Sequence, residues 1–197
     1  MSKPTIRAHG NERWQNVGQA GDVCFVTTTI EGFRPALAPE PIARMFVDAL
    51  QFYRSRGEML LHAWVVMPEH VHLLVTPLRG SISDMMELLK RYTSRQILAW
   101  CKEHGREDDL HFFADRGRID GERYSVWMRS FRSVPLQGDQ AVLDKIAYIH
   151  GNPVRRGLAA TPEEWPWSSA GAYSRPEAAA PEADLFESLI TTRRDGR

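Results

Sequence analysis

The chain has 197 residues, 43% hydrophobic and 25% charged, a composition that suits one domain with a buried core and excludes a disordered or fibrous chain. Its 25 basic and 25 acidic residues cancel, which argues against a protein that coats duplex DNA and leaves any nucleic-acid surface to local clustering of charge. No uncharged stretch approaches the roughly 18 residues of a bilayer span, so no membrane contact is expected.

The opening MSKPTIRAHGNERW lacks the apolar centre of a signal peptide, and Cys24 and Cys101 stand far apart without metal-ligand spacing. Free thiols in a reducing, cytoplasmic setting are expected. Residues 1–20 read as an irregular arm. DVCFVTTTI, Asp22 to Ile30, is β-branched and predicts a strand. Pro41 suits the first turn of a helix whose apolar residues Met45, Phe46, Ala49, Leu50 and Tyr53 recur at helical spacing until Gly57. EMLLHAWVVMPEHVHLLVTP is two β-rich runs split by Met67-Pro68-Glu69, a hairpin in which Glu69 is a turn residue facing away from the histidines that follow. Ser81 or Ser83 caps the next helix, which ends at Gly105. Residues 106–125 are polar, with Gly117 and Gly121, and read as a loop. Ser125 to Val134 predicts a strand, and Gln140 to His150 a short helix stopped by Gly151-Asn152-Pro153. A compact aromatic segment, TPEEWPWSS, follows. A linker over 175–183 precedes a last helix from Asp184 to Thr192. The order β-α-β-β-α-β fits a ferredoxin-like α+β sandwich, an antiparallel sheet with helices packed on one face, plus a C-terminal helix and extension.

His70 and His72 lie in a predicted strand, so they share one face, roughly 6–7 Å apart. Such a pair either holds a divalent cation with a third polar group or is simply two half-exposed strand residues. His62 reads as an ordinary strand residue. Tyr148 has Asn152 four residues later, on the same helical face if the turn holds. The pair is then a phenol nucleophile beside an amide ligand; otherwise Tyr148 packs and Asn152 caps the helix. Tyr92 sits in an ordinary helical pattern.

Together, WVVMPEHVHLLVTP and YIHGNPVRRGLA…PEEWPWSSA closely resemble the REP-associated tyrosine transposases, relatives of the single-tyrosine insertion-sequence transposases of the HUH superfamily. The resemblance covers roughly residues 20–170. It implies a transposase domain over 21–170 between an arm and a tail, 171–197. It implies catalysis by Tyr148, His70 and His72, with His70, His72 and Asn152 holding Mg²⁺ or Mn²⁺. Tyr148 would attack single-stranded DNA beside a REP-like hairpin, keeping the 5′ phosphate and freeing a 3′ hydroxyl. Departures lie in the polar insert over 103–123 and the tail beyond 175. Lys90, Arg91, Arg95, Arg129, Arg132, Arg155 and Arg156 are the expected phosphate contacts, and Trp127, Phe131 and Trp14 the candidate stacking rings. Trp165 and Trp167 read as packing residues. A monomer in the nucleoid is expected, with a dimer as the alternative. The competing functional reading is a hairpin-DNA-binding protein that does not cleave.

Overall fold

In a computed structural model, residues 18–121, 123–174 and 183–184 are described. The strands β1 (Cys24–Thr29), β2 (Met59–Val66), β3 (His70–Pro77) and β4 (Arg132–Pro135) form one antiparallel sheet in the order β2-β3-β1-β4. The helices are α1 (Glu40–Ser55), α2 (Ile82–Glu103), α3 (Glu107–Asp120), α4 (Asp139–His150), α5 (Asn152–Arg155) and α6 (Ala170–Ser174). The mixed α/β class and the element order agree with the sequence reading.

Side chains alternate across a strand, and here both faces are apolar. Val71, Leu73 and Val75 of β3 join Val26, Trp64 and Val66 beneath Ile42, Phe46 and Leu50 of α1 and Met86 and Leu89 of α2. The other parity, Phe25, Ala63, Val65 and Leu74, lies beneath Val142, Ile146 and Ile149 of α4. So α1 and α2 share one face, as expected, and the C-terminal helix covers the other. The β2–β3 register shifts between Leu61 and Ala63, leaving His62 as the extra residue of a bulge. Its Nε2 pairs with Thr76 Oγ1 at 2.8 Å, a structural role that matches its reading as an ordinary strand histidine.

Ser81 is the cap of α2. Asp84 N donates to its hydroxyl at 3.2 Å, and Asp84 Oδ2 accepts from Ser81 N at 2.9 Å, a reciprocal box that needs neither Ser83 nor Glu87. The expected loop over 106–125 is instead largely α3. Glu107, Asp108 and Asp109 suit its positive N-terminal end, and Leu110 and Phe113 bury one narrow stripe. Gly117 is there for proximity: a Cβ would come within 2.6 Å of Tyr124 Cα. The expected strand over 125–134 shrinks to β4 plus a single bridge from Trp127 to Ile30.

The free edge of β2 is covered. Val66 N donates to Trp167 O at 2.8 Å and Ser169 N to Trp64 O at 3.0 Å. Nearer the strand's start, Asp184 N donates to Leu61 O at 2.7 Å, while the Asp184 carboxylate accepts from Leu61 N at 2.8 Å and from Arg54 Nε and Nη2 at 3.0 and 2.9 Å. An edge strand left bare would template pairing with another chain. The remainder of the expected final helix, and nearly all of the N-terminal arm, lie outside the described residues. Asp184→Ala is expected to cost about 1–3 kcal/mol in urea unfolding, because it removes the carboxylate that both Arg54 and the Leu61 amide donate to. Faster hydrogen exchange at the Leu61 amide is the local readout.

Candidate active site

β3 opens on His70, and strand alternation places His70 and His72 side by side with ring centroids 4.7 Å apart. Each Nδ1 is engaged. Thr27, directly opposite on β1, shares a 2.8 Å hydrogen bond between its hydroxyl and His72 Nδ1. His70 Nδ1 donates to Glu69 Oε1 at 3.1 Å. Both Nε2 atoms are left for a ligand. Burial pushes the His72 pKa down to about 3, and a proton on His70 and the charges of Arg155 and Lys145 act in the same direction. His70 is lowered by burial against the opposing pull of Glu69. Neutral imidazoles are the form that binds a cation.

Glu69 is not the outward turn residue that alternation suggests. It precedes the strand, so strand parity does not govern it, and it is buried against the site. Burial resists its ionisation, but the hydrogen bond from Arg156 Nη1, at 2.8 Å, and the His70 contact outweigh that and hold its pKa below the usual carboxylate value.

α4 brings Tyr148 over the same face. Its ring centroid lies 5.5 Å from that of His72 and 5.8 Å from that of Phe25. The ring is 40% exposed, open to a substrate. Two cations flank it. Lys145 Nζ sits 5.1 Å from the ring centroid, and the Arg155 guanidinium 4.5 Å. Gly151 stays in the right-handed helical region, and Arg155 N still donates to Gly151 O at 3.1 Å. The chain therefore runs from α4 into α5 nearly as one helix, with Asn152 one turn past Tyr148. Asn152 is buried, and its side chain makes no hydrogen bond to another described residue, the histidines included. Among the described residues no three of His, Cys, Asp and Glu cluster as a metal site. Two neutral imidazoles side by side, each with its Nδ1 engaged, are donors of the kind that suit a divalent cation.

His150, two residues after Tyr148, faces inward. Its Nε2 pairs with Ser169 Oγ at 2.9 Å, and burial above all lowers its pKa to about 4. Trp165 Nε1 donates to Val66 O at 3.0 Å. The aromatic segment is thus a brace between α4 and β2, as its packing reading expected.

The expected phosphate contacts divide into two groups. Arg155 lies at the tyrosine and Arg156 at Glu69 beside His70, joined by Lys145, which sequence reasoning missed although it sits three residues before Tyr148 on the same helix. Arg132 pairs across from Thr27, which pairs with His72, so all three belong to one cross-strand row on this face. Lys90, Arg91, Arg95 and Arg129 line a separate open groove of about 820 Å³ between α2 and the segment entering β4. Lys102 and Arg123 add to it, Glu87 is its acid, and Tyr124 and Phe131 supply rings. Lys90 Nζ donates to Met128 O at 2.7 Å, stapling the two walls together. Trp127 is no stacking platform: it is 4% exposed, and its indole N–H donates to Thr93 Oγ1 at 3.0 Å. Trp14 lies outside the described residues. Tyr92 is exposed on α2 and lines a hollow with Phe52 and Tyr53.

Residues 33–152 match the protein family described as "Transposase IS200 like". A curated Haemophilus influenzae protein named for the REP-associated tyrosine transposases is 24% identical over 106 residues, which are 53% of this chain and 54% of that protein. The match therefore spans about half the length of that relative. A solved structure of a REP-associated tyrosine transposase bound to a REP hairpin superposes with a TM-score of 0.57 and 19% identity, covering 86% of this chain and 88% of that one. At that identity the likeness speaks to the fold.

His150 protonates less readily folded than unfolded, so its stabilisation is complete above its ordinary pKa of 6.5 and drains away as pH falls toward about 4. Urea unfolding at pH 5 is expected to show a loss of about 1–2 kcal/mol from this group relative to pH 7. His150→Gln should flatten that slope; an unchanged slope would assign acid sensitivity to other groups.

Proposed function

The chain belongs to the IS200-like transposase family, and from that premise we propose that it is a metal-dependent, single-tyrosine endonuclease and transposase of single-stranded DNA. The observation that carries this reading is the convergence of two neutral histidines, each with its Nδ1 engaged, on an open tyrosine between two cations. The catalytic domain spans residues 21–170, with the arm before it and the tail, 171–197, after it.

Tyr148 Oη attacks the scissile phosphorus. The new Oη–P bond forms as the P–O3′ bond breaks, leaving the 5′ phosphate on the tyrosine. The phenolic proton is given up and the departing oxygen takes one, so a 3′ hydroxyl is released; the reverse reaction rejoins the strand. Lys145 and Arg155 lie where they offset the charge that a phosphate brings to the ring. His70, His72 and Asn152 would hold Mg²⁺ or Mn²⁺, which when bound neutralises charge on the phosphate oxygens.

The substrate is DNA carrying a REP-like hairpin. The likeness to a protein solved on a REP hairpin supports this. So does the groove on the helical side, where Arg91, Arg95 and Arg129 can follow a phosphate backbone and Phe131 can meet an unpaired base. The protein acts as a monomer, in the cytoplasm, on the nucleoid. No described helix is long and apolar enough to cross a membrane.

Incubation with single-stranded oligonucleotides carrying hairpins from the repeats beside its gene, with Mn²⁺, is expected to give a covalent band on a denaturing protein gel. Tyr148→Phe should abolish the band and leave native-gel binding intact. Binding without any band in the wild type would mean a hairpin-binding protein that does not cleave. Separately, Arg91→Glu with Arg95→Glu should weaken hairpin binding and lower the slope of log affinity against log salt by about 2. An unchanged slope would remove the groove from the DNA path.

A further inference from the structure

Glu69 stands in the turn between β2 and β3, and its side chain is almost wholly withdrawn from water. A buried carboxylate is costly unless its partners repay the lost hydration, and this one spends a single oxygen, Oε1, on both Arg156 and His70. Its backbone is fixed as firmly: Ile30 N donates to Glu69 O at 2.8 Å, and Leu37 N to Pro68 O at 2.9 Å. Nothing in the turn's own geometry calls for an acid at this position.

We infer that Glu69 is a positioning residue for the metal site, holding the His70 ring in the tautomer that presents its Nε2 lone pair, while Arg156 holds Glu69. The inference rests on the reading of His70 and His72 as metal ligands. The two histidines are served differently. The Thr27 hydroxyl can donate or accept, so it fixes the place of the His72 ring without choosing its tautomer. An ionised carboxylate only accepts, so it requires the proton on His70 Nδ1 and leaves Nε2 bare. A carboxylate behind a ligating imidazole also raises the basicity of the ring. Arg156 follows Tyr148 and Asn152 in the chain and caps α5. One carboxylate therefore ties the histidine strand to the segment carrying the other proposed groups.

The test uses the full chain without DNA. Histidine ¹⁵N spectra of the metal-free protein read the tautomer, and Mn²⁺ titration followed by electron paramagnetic resonance reads the affinity. Wild type should show His70 as the Nδ1–H tautomer alone. Glu69→Ala should mix the tautomers and weaken Mn²⁺ binding about tenfold. Glu69→Gln, whose amide oxygen still accepts, should restore most of both. If the alanine variant does not fold, Glu69→Met fills the same space without an acceptor and should behave as alanine is expected to. Mn²⁺ binding that survives both Ala and Met unchanged overturns the inference alone. An equal loss in Ala and Gln assigns the effect to charge and overturns it too. Absence of Mn²⁺ binding in the wild type overturns the metal reading and this inference with it.

Discussion

The arrangement depends on β3 being buried on both faces at the centre of the sheet. One set of its side chains must be apolar to support α1 and α2, and Val71, Leu73 and Val75 are. The other set faces α4, and there the strand gives two of its positions to imidazoles. That substitution removes apolar contact and takes polar rings out of water, and both cost stability. The same dehydration keeps the rings neutral, the state a cation requires. Thr27 and Glu69 then satisfy the inward nitrogens, so the polar burial is compensated where it arises rather than elsewhere in the fold.

The tyrosine face and the helical face each gather positive charge. Around Tyr148 the cations are few and close, suited to a single phosphate. In the groove beside α2 they are strung along a wall, suited to a run of phosphates. Elsewhere, ion pairs such as Arg34–Asp109 and Arg116–Glu31 dock α3. A formal net charge of zero thus coexists with local basic clusters.

Much of the candidate site was legible from local periodicity. A two-residue repeat places His70 beside His72 without any knowledge of the fold, and a helical repeat places Asn152 one turn past Tyr148. What was not legible depends on contacts distant in sequence. Glu69 lies one residue before the strand, where alternation ceases to apply and a partner 87 residues away decides its direction. Helix α3 buries so thin a stripe that its polarity imitates a loop, and Gly117, which reads as a breaker, is there to let the chain at Tyr124 pass. In sequence Trp127 is a candidate base platform; Thr93, 34 residues earlier, gives its indole N–H an interior partner. In sequence Lys90, Arg91 and Arg95 share a helix while Arg129, Arg132, Arg155 and Arg156 flank the tyrosine segment; the topology moves Arg129 to the groove beside α2.

The bulge at His62 has a consequence for phase. Before it, Met59 and Leu61 face the α1–α2 layer; after it, Trp64 and Val66 do, so the parity of β2 reverses across one extra residue. The hairpin then carries that corrected phase into β3, where Val66 meets Val71 and Val65 meets His72. Were His62 instead admitted to a regular ladder, one half of β2 would turn over, setting the Trp64 indole toward α4 or the Met59 end away from α1. The chemistry of the face is in this sense counted out along the chain, with a residue outside the active site keeping the tally.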